Sequence, residues 1–127
     1  MDVGLSNNFA SLNPYQFEEF IAKLFRKMGY DAKKTKSSGD FGVDVIAERD
    51  NKRIVIQVKQ HKNKITPREV QRTLGALHIY NADSAIFITT SDFTKSAREV
   101  ENDAPIELWN KQILHQMVRR YFINGIE

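Results

Sequence analysis

The stretch GDFGVDVIAERDNKRIVIQVKQ, Gly39 to Gln60, decides the fold and raises the functional question. Val43 to Glu48 and Arg53 to Lys59 are rich in β-branched residues and flank the turn-forming RDNK, so they form an antiparallel hairpin. Within the second strand Ile54, Ile56 and Val58 share one face, and Val55, Gln57 and Lys59 share the other. A buried strand avoids carboxylates and ammonium groups, because desolvating an unpaired charge is expensive. Asp44 nevertheless stands between Val43 and Val45, and the partner strand closes on Gln57-Val58-Lys59. Two adjacent strands that both break the rule mark a site.

The rest of the chain arranges itself around this hairpin. Residues 1–12 form a short polar lead, and residues 13–127 a single domain. Asn13-Pro14 is an N-cap followed by proline at the first helical position. Apolar residues at Phe17, Phe20, Ile21, Leu24, Phe25 and Met28 then keep helical spacing, and Gly29 supplies the stop. At about 100° per residue, Glu18 lies about 20° from Phe25 and borders the apolar stripe, whereas Glu19 faces water. Tyr30 to Lys36 is an edge strand defended by lysines. Thr66-Pro67-Arg68-Glu69 combines a capping box with proline at N1 and opens a helix carrying Val70, Leu74 and Leu77. Ser84 to Thr90 is short, apolar and β-branched, as a strand covered on both faces requires. A helix capped by Thr94, a strand over PIELWN and a helix over Lys111 to Phe122 complete the order α-β-β-β-α-β-α-β-α. That order predicts an α/β layer sandwich, a central mixed β-sheet flanked by helices.

Composition narrows the functional classes. A chain of 127 residues, 41% hydrophobic and 28% charged, suits one ordinary globular core. No apolar run approaches bilayer length, and MDVGLSNNFASLNP lacks the basic-then-apolar secretory pattern, so a cytoplasmic protein with no membrane partner is expected. Without cysteine there is no disulfide framework and no thiolate zinc site. His61, His78 and His115 are scattered without metal-ligand spacing. The net charge of +3 is mild, so placement of charge matters more than its total. Lys62, Lys64, Arg68 and Arg72 cluster just beyond the second hairpin strand, with Arg68 and Arg72 on one helical face, and suit phosphate contacts with DNA. The helix start at Thr66 adds its own preference for anions.

If the hairpin strands pair in suitable register, Asp44 sits beside Gln57 and Lys59, since paired strands run about 4.8 Å apart. Asp44 then offers oxygen to a hard cation such as Mg²⁺, with a backbone carbonyl near residue 58 as a further ligand. Lys59 stands next to that ion, where it can orient a water or neutralise a phosphate oxygen. Glu18 supplies a second acid if the first helix packs on the hairpin. This is equipment for metal-assisted hydrolysis of a phosphodiester.

FEEFIAKLFRKMGYDAKKTKSSGDFGVDVIAERDNKRIVIQVKQ, with PREVQRTLGAL and SAIFITTSDFTKSAREV after it, resembles the Mrr-type restriction endonuclease domain over residues 13–115. That family belongs to the PD-(D/E)xK nuclease superfamily, which includes archaeal Holliday-junction resolvases. The resemblance implies a restriction-endonuclease-like fold and Mg²⁺-dependent DNA cleavage, with Mn²⁺ as a substitute and no small-molecule cofactor. It also implies a homodimer, because cutting two strands needs two sites. Residue by residue it implies Asp44 as the main metal ligand, Lys59 as the catalytic lysine and Glu18 as the first-helix acid. Gln57 falls where many superfamily members carry Glu or Asp, and Mrr-like members resemble this sequence in having Gln. Asp40 matches the aspartate of the glycine-rich turn. The alternative is a catalytically inactive DNA-binding module of the same fold, which the neutral Gln57 favours. A third reading is a subunit whose basic face meets an acidic protein.

Overall fold

The structure, a computed structural model, describes residues 4–35 and 42–124. Asp40 lies outside the described residues. Helix α1 (Pro14–Lys27) starts as its sequence dictates: the Asn13 side chain accepts from Gln16 N at 2.8 Å, and Gln16 Oε1 accepts from Asn13 N at 2.9 Å. It ends at Gly29, whose φ of +102° lets Gly29 N reach Arg26 O and Tyr30 N reach Phe25 O. These two bonds form a Schellman stop. Strand β1 (Asp31–Lys34) then runs to the sheet edge, followed by β2 (Val45–Arg49) and β3 (Lys52–Lys59). The β2–β3 turn holds Asp50 and Asn51 at φ of +53° and +65°, the left-handed pair that a tight hairpin of native twist demands.

Helix α2 (Pro67–Tyr80) closes its N-terminus with the Thr66–Glu69 capping box and carries the chain across to β4 (Ser84–Thr89). Helix α3 (Lys95–Glu101), β5 (Ile106–Trp109) and α4 (Lys111–Val118) follow. The terminal helix expected to run to Phe122 is α-helical only to Val118 and continues as a π-helix over Arg119–Asn124, where Phe122 stacks on Phe20 at 4.9 Å. The five strands lie in sequence order β1-β2-β3-β4-β5. The pairs β1/β2 and β2/β3 are antiparallel, and β3/β4 and β4/β5 are parallel, which makes the sheet mixed.

Strand alternation divides the core into two layers. Ile56, Val58, Ile86 and Ile88 meet Phe17, Ile21, Leu24 and Phe25 of α1 and Leu114 and Val118 of α4. Val55, Ala85 and Phe87 meet Val70 and Ala76 of α2 and Ala97 of α3. The two faces of β3 are thus as the sequence pattern predicts, and β4 is buried on both sides.

The lead is less polar in effect than in composition. Phe9 is fully buried, its ring 5.6 Å from Phe17 and 5.3 Å from His115. Gln60 Nε2, at the end of β3, donates to Phe9 O (3.1 Å) and Leu12 O (2.9 Å). An isolated aromatic in a polar run carries no periodicity to announce its burial. Truncation of Phe9 to alanine is expected to cost about 3–5 kcal/mol in urea unfolding, as for a core phenylalanine; a loss below about 1 kcal/mol would show that the lead is not part of the core.

Candidate active site

Asp44 is where β2 departs from regular pairing. Its N–H donates to Ile56 O of β3 (2.8 Å), while its carbonyl accepts from Thr35 N on the β1 side (2.9 Å). In an antiparallel ladder a residue turns both groups to one neighbour. Asp44 divides them, and for this reason the strand expected from Val43 begins at Val45. Its side chain supplies what the main chain no longer can, because Oδ2 accepts from Val58 N at 2.9 Å. Lys59 O turns towards β4, accepting from Thr90 N and Thr89 Oγ1. Val58 therefore turns its backbone groups to the β2 side, where β2 has ended. Its carbonyl accepts there from Gln57 Nε2 at 3.2 Å.

Glu18 reaches the same place from α1 and shares a side-chain hydrogen bond with Asp44. Burial, then the negative charge of Asp44 and that hydrogen bond, raise the Glu18 pKa to about 7, with Lys34 partly offsetting the rise. Burial also raises the Asp44 pKa, against the lowering influence of the Val58 N–H, Glu18 and Lys34. Two neighbouring carboxylates oppose each other's ionisation, which is the direction of both shifts. Lys34, in the last position of β1, is the local counter-charge. Its Nζ is buried, has no hydrogen-bond partner among the described residues and sits 2.9 Å from the centroid of the exposed Tyr15 ring.

Glu18, Asp44, Gln57 and Lys59 line one cavity of about 320 Å³, with Gly42 and Gln60 on its rim. All four predicted residues are therefore brought together. Gln57 Oε1 is buried without a hydrogen-bond partner among the described residues. Gly42 makes room for it: φ there is +66°, and a Cβ would stand 3.0 Å from Gln57 Oε1. Lys59 Nζ donates to Glu69 Oε1 of α2 at 2.6 Å. A smaller cavity of about 110 Å³ joins Gly42, Gln57 and Lys59 to Glu69 and Arg72. Lys62, Lys64, Arg68 and Arg72 have exposed side chains on the β3–α2 connection and the first turns of α2.

Two charged groups at the site escape the sequence pattern. Lys34 belongs to a lysine-rich edge strand, where lysine is ordinary. Glu69 has a complete explanation as a capping residue, and nothing in the sequence tells that only one of its oxygens is needed for capping.

The sandwich is a restriction-endonuclease fold. It superposes on the DNA modification-dependent restriction endonuclease AspBHI with a TM-score of 0.72 (20% identity; 94% of this chain, 34% of that one). It also superposes on the MspJI restriction endonuclease in complex with a 27-mer oligonucleotide, with a TM-score of 0.67 (23% identity; 88% of this chain, 29% of that one). In sequence, residues 9–118 match the Mrr catalytic-domain family, described as restriction endonuclease, and the chain belongs to that family. It is 26% identical over 121 residues to the type IV methyl-directed restriction enzyme EcoKMrr of Escherichia coli (strain K12). That match covers 87% of this chain and 40% of the relative. Among the described residues no helix is long and apolar enough to cross a membrane.

The residues present fit a hard divalent cation. Every donor is an oxygen: the carboxylates of Asp44 and Glu18, the Val58 carbonyl and the unpartnered Gln57 Oε1. Among the described residues no three or more His, Cys, Asp or Glu side chains gather. One or two carboxylates completed by neutral oxygens is a set that Mg²⁺ accepts, because it keeps several waters.

The raised Glu18 pKa has a consequence for stability. Glu18 has its folded pKa raised from 4.5 to about 7. Its contribution is complete below the unfolded pKa and is lost as pH rises through the folded one. In EDTA, Glu18→Gln is therefore expected to lose less stability than the unsubstituted protein between about pH 5 and about pH 8. Urea unfolding across that range measures this, and parallel curves would show an unperturbed Glu18.

Proposed function

We propose that the chain is a divalent-metal-dependent DNA endonuclease that hydrolyses phosphodiester bonds, with Mg²⁺ as the ion and Mn²⁺ as a substitute. The observation that carries this reading is the common cavity of Asp44, Glu18, Gln57 and Lys59, formed where paired strands and α1 meet. Asp44, Glu18 and the Val58 carbonyl hold the ion, with Gln57 Oε1 as a neutral fourth oxygen. When bound, the ion supplies an activated water and offsets charge on the phosphoryl oxygens. Asp44 is fixed by the Val58 N–H before any ligand arrives. Lys59 directs its ammonium at the negative charge that develops as water attacks phosphorus. Lys62, Lys64, Arg68 and Arg72 neutralise phosphates on either side of the scissile bond, without reading bases. A duplex break requires two such sites, so the working form is a homodimer, acting on DNA in the cytoplasm. The chain spans 40% of the length of EcoKMrr, so any recognition of modified DNA belongs to this proposal only through that relative.

A second reading, a DNA-binding module without catalysis, draws on the neutral Gln57. Incubation with supercoiled, methylated and four-way DNA in Mg²⁺, Mn²⁺ or EDTA separates the two. Cleavage is expected only with metal. Asp44→Ala and Lys59→Ala are each expected to lower it about a thousand-fold or more, with DNA affinity in EDTA little changed. Binding without cleavage under every metal would leave the module.

A further inference from the structure

We infer that Glu69 is a positioning residue for Lys59, holding its ammonium on the α2 side of the strand end, where the smaller cavity joins the two residues. The inference rests on the nuclease reading for its catalytic consequence but not for its geometry. A lysine at the end of a strand has a flexible four-carbon stem and a point charge with no preferred direction. Left alone it snorkels into water. Here Lys59 Nζ donates to Glu69 Oε1 at 2.6 Å, a short charge-assisted bond. The carboxylate is itself immobilised. Glu69 Oε2 accepts from Thr66 N at 3.0 Å and from Thr66 Oγ1 at 3.1 Å, so the capping box and the lysine tether use opposite oxygens of one group. Partial burial pushes the Glu69 carboxyl up, but the hydrogen bonds from Lys59 and Thr66 outweigh it and leave its pKa lowered. Glu69 is thus held as the anion.

The tether spans two elements that the topology brings together. Lys59 ends β3, and Glu69 lies in the first turn of α2, ten residues on in sequence. An ammonium carries three donors, and one bond to Glu69 leaves two to meet a ligand. A stem fixed at both ends presents those donors without losing rotamer freedom when DNA arrives. Because α2 also carries Arg68 and Arg72, the same carboxylate sets the lysine in register with the basic face of the helix.

Two variants separate the roles. Glu69→Gln keeps one oxygen, which can accept from Thr66, and turns an amide N–H₂ towards Lys59. The cap survives and the tether does not. Thr66→Ala removes the hydroxyl from the cap and keeps the tether. The lysine ammonium resonances of the full chain, read by ¹⁵N NMR in EDTA, need no activity. Lys59, assigned by its loss in Lys59→Met, is expected to give a restricted signal that persists in Thr66→Ala and averages out in Glu69→Gln. Single-turnover cleavage at saturating DNA is expected to fall about ten- to a hundred-fold in Glu69→Gln, with DNA affinity in EDTA and Tm close to those of the unsubstituted protein. In a Lys59→Met background Glu69→Gln is expected to add nothing. Thr66→Ala is expected to lower Tm and leave the rate intact. An unchanged Lys59 signal in Glu69→Gln overturns the inference, and so does an unchanged or faster rate in that variant. If the unsubstituted protein cleaves no DNA with any metal, the nuclease reading fails, and the NMR comparison alone decides whether Glu69 holds the lysine.

Discussion

The hydrogen bond from Val58 N to Asp44 Oδ2 is the constraint on which the rest of the site depends. It replaces a ladder bond with a carboxylate bond exactly where β2 leaves β3 — the point at which a sheet would otherwise expose an unpaired backbone N–H. Bonds from neutral donors to charged acceptors contribute about 1.5–3 kcal/mol, which helps offset the cost of the aspartate's half-buried position. The bond also fixes the carboxylate of a residue that lines the cavity. Fold and chemistry share one atom pair: whatever weakens the β2–β3 junction moves the carboxylate too.

The arrangement of charge follows from that placement. Glu18 approaches Asp44 from the α1 layer, where burial and their mutual repulsion raise the Glu18 pKa and Lys34 partly offsets the rise. Lys59 is on the other face of β3, where Glu69 takes its charge. Acid and base are therefore sorted by strand alternation. Lys59 reaches the strand end from the α2 side and Glu18 from α1, and Gln57 lines both cavities between them.

Much of this was legible in the sequence. The caps at Asn13 and Thr66, the Gly29 stop and the RDNK turn act through local backbone geometry, so a few residues determine each. Alternation gave the faces of β3 but left the hairpin register open, and the observed register, Val45 opposite Ile56, brings Asp44 to Gln57 and Lys59. Less legible were the contacts that join distant segments. Phe9 is one aromatic in a polar run, and only Gln60, about fifty residues on, shows why it is inside. Asp44 was recognisable as a buried acid, but not as the residue that ends strand pairing. Lys34 and Glu69 each satisfy a simpler local rule, which hides their part in the site. Family resemblance, now matched over residues 9–118, supplied the placement of Glu18 that helical spacing alone could not.

The sequential strand order has a kinetic consequence. β1, β2 and β3 are neighbours both in the sheet and along the chain, so their meander closes short loops at small entropic cost. The parallel β3–β4 pair must wait for the whole α2 crossover. Asp44 and its Val58 partner therefore belong to the part of the protein expected to assemble early, whereas Glu69 and the arginines arrive with the later crossover. A nascent chain would display its carboxylate with the lysines of the meander before the arginines of α2 had joined them.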